Sequence, residues 1–152
     1  MMNKKIEIYT DGSSLGNPGP GGWGTVVVEN EKIVFELGGF DKNTTNNRME
    51  IKAVIEALRY VNKKYGGLEV SIVADSNYVL LGITEWIHNW QRNGWKTAGK
   101  KPVLNQELWQ ELWQLKEEST SKILWHKVKG HSGHVFNERA DEIATTKASL
   151  QK

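Results

Sequence analysis

Four carboxylates in this sequence stand where an acid is costly. Asp11 and Asp75 each directly follow a β-rich run. Glu50 heads a helical stripe at 50, 54, 57 and 61 whose other members are Val54, Ala57 and Val61. Asp141 shares a helical face with Ala144 and Ala148 and is flanked by Ala140 and Ile143. An acid on a face that packs against a sheet is unfavourable unless a cation or a hydrogen-bond donor compensates it. Each has a plainer reading on its own. A strand-closing aspartate can start a turn or cap a helix, and Glu50, in a first turn, can bend out to solvent and favour the helix dipole. Taken together, four converging carboxylates repel strongly unless divalent cations sit among them. The chain has no cysteine, so the donor set is hard oxygen, which selects Mg²⁺ or Mn²⁺ over zinc. Such a set suits a two-metal displacement at phosphorus, in which one ion activates the attacking water and the other stabilises the leaving oxygen.

The elements that must position these acids can be read from periodicity. Residues 6–10 alternate at period two and form a strand ending at Asp11. A loop dense in Gly, Ser, Asn and Pro follows at 12–22, then β-rich runs at 23–28 and 32–38 with polar Glu29, Asn30 and Glu31 as the hairpin between them. Asn46 or Asn47 can cap a helix over 48–62, stopped by Gly66 and Gly67. A strand over 68–74 reaches Asp75; helices are expected at 76–83, 84–91, 106–118 and 137–148, and a last strand at 123–128. Hairpins followed by a right-handed crossover give the strand order 3-2-1-4, with the last strand beside the fourth. The expected fold is α/β: a mixed five-stranded sheet, order 3-2-1-4-5, flanked by helices. Asp11 and Asp75 then share the edge where open α/β sheets place their ligands.

Composition narrows the field. The 152 residues suffice for one domain over 1–152, and no repeat, linker or low-complexity tract divides it. The absence of cysteine excludes a disulfide framework and any thiolate or redox site. No apolar run reaches the ~18 residues of a membrane span, and the N-terminus leads into a strand rather than a signal core. A soluble, cytoplasmic monomer with no membrane partner is expected. Net charge is only +2, but 91–105 holds Arg92, Lys96, Lys100 and Lys101 and no acid, which leaves the remainder net acidic. This stretch is either a solvated loop or a phosphate-contacting arm. Trp86, Trp90 and Trp95 inside or beside it favour the arm.

Four motifs, in order along the chain, resemble a known family. Thr10-Asp11-Gly12-Ser13, Thr45-Asn46-Asn47-Arg48-Met49-Glu50, Asp75-Ser76 and Val128-Lys129-Gly130-His131-Ser132-Gly133-His134 are similar to the bacterial type 1 ribonuclease H family, over about 5–148. Trp86-Ile87-His88-Asn89-Trp90 and the basic loop at about 91–105 resemble its helix and handle. The resemblance implies an endonuclease that hydrolyses the RNA strand of RNA–DNA hybrids without strong sequence specificity, leaving 5′-phosphate and 3′-hydroxyl ends. It implies that Asp11, Glu50, Asp75 and Asp141 hold two Mg²⁺ ions, with Asp11 shared, and that His131 carries a proton or aids product release. Asn17, Asn46, Asn47 and Asn77 would face the minor groove, and Thr45 and Asn105 would grip a DNA-strand phosphate. Trp86 and Trp90 would wall the DNA channel, and Lys96, Lys100 and Lys101 would meet phosphates.

The sequence departs from the family at several positions. Asn77 stands where a glutamine is usual, Ser14 replaces a common cysteine, and Gln91 and Asn93 occupy places where relatives often carry Lys or Arg. A transposase, integrase or resolvase core shares the sheet and acids, but usually lies within a longer chain carrying DNA-binding appendages. A non-catalytic hybrid-binding module would lack an acid, and none of the four is missing.

Overall fold

The computed structural model describes residues 4–128 and 134–150. Five strands form one mixed sheet in the order β3-β2-β1-β4-β5, as two hairpins and a right-handed crossover predict. β1 (Ile6–Ser14) pairs antiparallel with β2 (Gly19–Glu29), which pairs antiparallel with β3 (Lys32–Thr44). Asn30 and Glu31 both have positive φ, the backbone a two-residue hairpin needs to match strand twist. Asn30 is further tied to Lys5 by hydrogen bonds of 2.9 Å in both directions. β1 pairs parallel with β4 (Glu69–Ala74), and β4 pairs parallel with β5 (Lys122–Lys127).

Alternation along the strands sends side chains to two apolar layers. Ile6, Ile8 and Val27 join the larger core beneath α1 (Asn46–Lys64) and α4 (Gln106–Glu118). Tyr9, Val26 and Val28 face α5 (Val135–Ser149), packing with Val73, Ala140 and Ile143. Between β4 and α4 the chain is helical from α2 (Asn77–Leu81) through a π turn (Gly82–Trp86) into α3 (Ile87–Arg92). The π turn sits where Trp109 of α4 packs. A Cβ at Gly82 would lie 2.1 Å from the Trp109 ring.

Several expected boundaries change, among them the start of β2, which lies at Gly19 within the stretch expected as a loop. β1 does not stop at Asp11: its parallel partner ends at Ala74, but β2 continues pairing with it to Ser14. β3 runs on to Thr44 because β2 supplies partners as far as Gly19, through a register shift between Gly19 and Gly21. The cap of α1 is Thr45, whose side chain accepts from the Arg48 N–H at 3.2 Å, so Asn46 and Asn47 open the helix instead of capping it. α5 begins at Val135, two residues before the expected start.

Candidate active site

Two close approaches between glycine and helix assemble the acid end of the sheet. In the β1–β4 register Thr10 faces Ala74, so Asp11 and Asp75 stand next in line on neighbouring strands at one edge. Asp11 lies on the α5 side of β1 and Gly12 on the α1 side. Gly12 has no side chain, and α1 uses that space: a Cβ there would sit 2.3 Å from the Glu50 backbone N. Glu50, in the first turn of α1, is thereby brought to Asp11. On the opposite face Gly24, the register partner of Asp11, meets α5, where a Cβ would lie 2.4 Å from the Ala140 carbonyl. That approach sets Asp141, one residue on, against Asp11.

Burial decides between the two readings of Glu50. It is 8% exposed, so it packs inward and does not bend out to solvent. Asp141 corrects the sequence expectation. Ala140, Ile143, Ala144 and Ala148 form the buried face of α5, while Asp141 is exposed at its margin. Asp75 is also exposed. Two desolvated acids are thus flanked by two solvated ones.

The electrostatics follow from that difference. Burial pushes Asp11 up to about 6; a hydrogen bond with Glu50 and the Gly12 N–H, 2.9 Å from its Oδ1, pull it down, while the Asp141 charge raises it. Glu50 is held well above the ordinary carboxylate range, first by burial, then by the charges of Asp11 and Asp75 and its hydrogen bond to Asp11. Both shifts favour the protonated form, so the pair resists carrying two negative charges side by side. Among the described residues, no three acid or imidazole groups are already gathered tightly enough to grip one ion. The donor set nonetheless fits a hard divalent cation, being all carboxylate oxygen with two members kept out of water at a cost that a cation would offset.

A second group of candidate residues lies around the N-terminus of α1. Asn17, exposed in the β1–β2 loop, accepts at Oδ1 from the Asn46 backbone N–H at 3.0 Å and from the Ser14 hydroxyl at 3.1 Å. Its carbonyl is occupied, so its NH₂ is the group left to meet a ligand. Thr45 is the α1 cap, and Asn46, Asn47 and Asn77 are exposed. Asn105 precedes α4 in the left-handed conformation, φ 63, and its side chain does not cap the helix. It belongs to a chain of hydrogen bonds: Arg48 Nη1 donates to its Oδ1 at 3.2 Å, and its Nδ2 donates to the Tyr78 hydroxyl at 3.0 Å. Arg48 also pairs with both carboxylate oxygens of Glu107. Tyr78 meets Trp86 edge-on at 5.9 Å, and Trp86, 37% exposed, lies 5.9 Å from Trp90.

The basic stretch is built rather than loose. Lys96 and Pro102 form an antiparallel bridge, the Lys101 carbonyl accepts from Thr97 N at 2.7 Å, and Val103 anchors the loop in the larger core. Lys96, Lys100 and Lys101 project from it, all exposed. His131 lies outside the described residues. No sequence signal marks Gly24, Tyr78 or Glu107, whose partners are remote in the chain; Gly12 and Arg48 lie inside recognisable motifs that assign them no role.

Known proteins match this chain in sequence and in fold. The RNase H family model matches residues 3–149. Ribonuclease H of Thermosynechococcus vestitus is 57% identical over 137 residues, covering 90% of this chain and 84% of that protein. Ribonuclease H of Erythrobacter litoralis is 51% identical, covering 97% and 99%. Among solved structures, LC9-RNase H1, a type 1 RNase H with the type 2 active-site motif, superposes with a TM-score of 0.83 at 36% identity, over 100% of this chain and 75% of that one. LC11-RNase H1 in complex with RNA/DNA hybrid gives 0.69 at 29% identity, over 96% and 98%. No helix among the described residues is long and apolar enough to cross a membrane. The five-strand order and a family match running nearly end to end agree: the chain belongs to the RNase H family.

Proposed function

We propose that this chain hydrolyses the RNA strand of RNA–DNA hybrids, cutting internally and leaving 5′-phosphate and 3′-hydroxyl ends. The observation that carries the proposal is Glu50, buried beside Asp11 where two further acids converge. Holding two carboxylates together out of water costs stability, and a cation between them offsets that cost. Asp11, Glu50, Asp75 and Asp141 would hold divalent ions, two Mg²⁺ with substrate or Mn²⁺ in their place. When bound, these ions supply charge neutralisation, activation of the attacking water and stabilisation of the leaving oxygen. Asp11, between Glu50 and Asp141, is the shared ligand in this reading. His131, with Gly130 and Gly133 on either side of it in the sequence, would carry the proton away or help release product.

The remaining residues choose the substrate. The Asn17 amide, with its carbonyl occupied, offers donors to minor-groove acceptors and 2′-hydroxyls, which vary little with sequence. Asn46, Asn47 and Asn77 line the same approach. Thr45 and Asn105 grip a phosphate of the DNA strand beside Trp86 and Trp90, and Lys96, Lys100 and Lys101 meet phosphates further along. Demanding 2′-hydroxyls on one strand and a deformable deoxyribose backbone on the other rejects pure RNA and pure DNA. The test is to incubate the protein with end-labelled hybrid, RNA duplex and DNA duplex, with and without Mg²⁺. Cleavage confined to the RNA of the hybrid and dependent on Mg²⁺ is the expected outcome. Cutting of duplex DNA would point instead to a transposase- or resolvase-like core.

A further inference from the structure

Arg48 reaches into the Thr45–Asn105 pocket, yet its guanidinium is already engaged. Both terminal nitrogens face Glu107, and Nη1 also donates to Asn105 Oδ1. Tyr78 is committed in the complementary sense. Its hydroxyl oxygen accepts from Asn105 Nδ2 at 3.0 Å and from Trp109 Nε1 at 3.2 Å, and Trp109 is fully buried in the larger core. The Asn105 amide is therefore gripped at both ends by groups that are themselves fixed: an arginine carries only donors, so it can meet only the amide oxygen. A tyrosine oxygen already holding the indole N–H has an acceptor site left for the amide nitrogen. An amide flip would set Arg48 against an NH₂, so Arg48 fixes which end of the amide is which, and the Tyr78 oxygen then holds the NH₂ in place. One N–H of Asn105 remains free, and it is a donor by construction.

We propose that Arg48 and Tyr78 are positioning residues that hold Asn105 as a hydrogen-bond donor to a phosphate oxygen of the DNA strand, with Glu107 fixing Arg48. The proposal rests on the reading of Thr45 and Asn105 as a phosphate pocket. Its consequence is that the pocket recognises phosphate through neutral donors, since the nearby guanidinium charge is matched by Glu107. Arg48→Lys keeps the charge but lacks the planar fork that serves Glu107 and Asn105 together. Tyr78→Phe keeps the ring against Trp86 and removes only the oxygen.

The experiment compares steady-state cleavage of two hybrids, one unmodified and one with a single methylphosphonate in the DNA strand, stepped along the positions around the cut. Wild type is expected to show a rise in KM at one methylphosphonate position. With unmodified hybrid, Arg48→Lys and Tyr78→Phe should each raise KM by about tenfold, the worth of one hydrogen bond to a charged group, with kcat retained. Both should also lose the methylphosphonate effect at that position, a readout that general loosening of the fold would not move. Asn105→Ala run in parallel separates the two levels. If it raises KM and abolishes the methylphosphonate effect while Arg48→Lys and Tyr78→Phe behave as wild type, the positioning proposal is wrong and the pocket stands. If Asn105→Ala itself changes neither, the pocket reading and the proposal fall together.

Discussion

Asp11 and Glu50 are acids that folding takes out of water, whereas Lys96, Lys100 and Lys101 stay exposed on a loop that folding only shapes. Both regions concern the same polyanion, but they stand differently towards the stability of the chain. The acid end is held by the least deformable parts of the structure: a central strand, the first turn of a 19-residue helix and two close approaches where only a glycine fits. The arm is tied to the core through Trp95 and Val103, and its lysines lie beyond those anchors on the exposed part of the loop. Residues placed at a cost on rigid elements belong to the step that needs fixed geometry, and solvated residues on a loop belong to encounter and grip. Damage to the two regions should therefore separate cleanly into turnover and affinity.

Asp11→Asn gives the largest expected effect. It should remove hybrid cleavage by more than the roughly 10²–10⁴-fold that a single general acid–base group supplies. The variant should stay folded, as circular dichroism would check. Normal cleavage by a folded Asp11→Asn protein would remove the acid end from the chemistry. His131→Ala should cost roughly 10²-fold or less in kcat, because a proton carrier is helpful where a shared ligand is essential. If calorimetric titration showed that this change abolishes Mg²⁺ binding, the histidine would have to be counted among the ligands. Smallest is the arm: replacing Lys96, Lys100 and Lys101 by alanine should leave kcat near wild type and raise KM. For every phosphate left without its lysine, the slope of log affinity against log salt should flatten by about 0.7–0.9. An unchanged slope would mean that the arm is a solvated turn and that the acid end alone is functional.

Most of the fold is legible in the sequence because period-two and helical patterns set the sheet and its layers, and the right-handed crossover sets its order. What escapes is non-local. Asp11 reads as the end of a strand because its own run of alternation stops there; that β1 continues to Ser14 depends on β2, which pairs with it across an irregular loop. Asp141 reads as buried because its neighbours at helical spacing are small and apolar. Gly24 lets α5 settle with Ala140 over β2 and leaves the aspartate at the rim. The four acids are visible as residues in costly places, but the inequality between them is not, since desolvation depends on which helix covers which strand. Arg48 and Tyr78 show the same limit, meeting Asn105 across 57 and 27 residues of chain.

If the fold sets buried Glu50 against half-buried Asp11 for the sake of a cation, protein stability should report it without reference to catalysis. In the metal-free protein the folded pKa of Asp11 is raised to about 6 from 3.8. Its stabilising contribution is therefore fully present below the unfolded value and is lost as pH rises through about 6. Glu50 acts in the same direction. The measurement is the difference in unfolding free energy between wild type and Asp11→Asn, by urea denaturation from pH 4 to 8, with and without Mg²⁺. The difference isolates the pair from groups such as Glu36 and Glu107, whose lowered pKa values act oppositely. Without metal, Asp11→Asn should match wild type near pH 4 and exceed it at pH 8 by on the order of 1–3 kcal/mol, since raising a pKa by one is worth about 1.36 kcal/mol. Mg²⁺ at pH 8 should narrow that gap by stabilising wild type selectively. A gap that does not change with pH, or Mg²⁺ stabilising both proteins equally, would mean that the acid pair is not there for a cation.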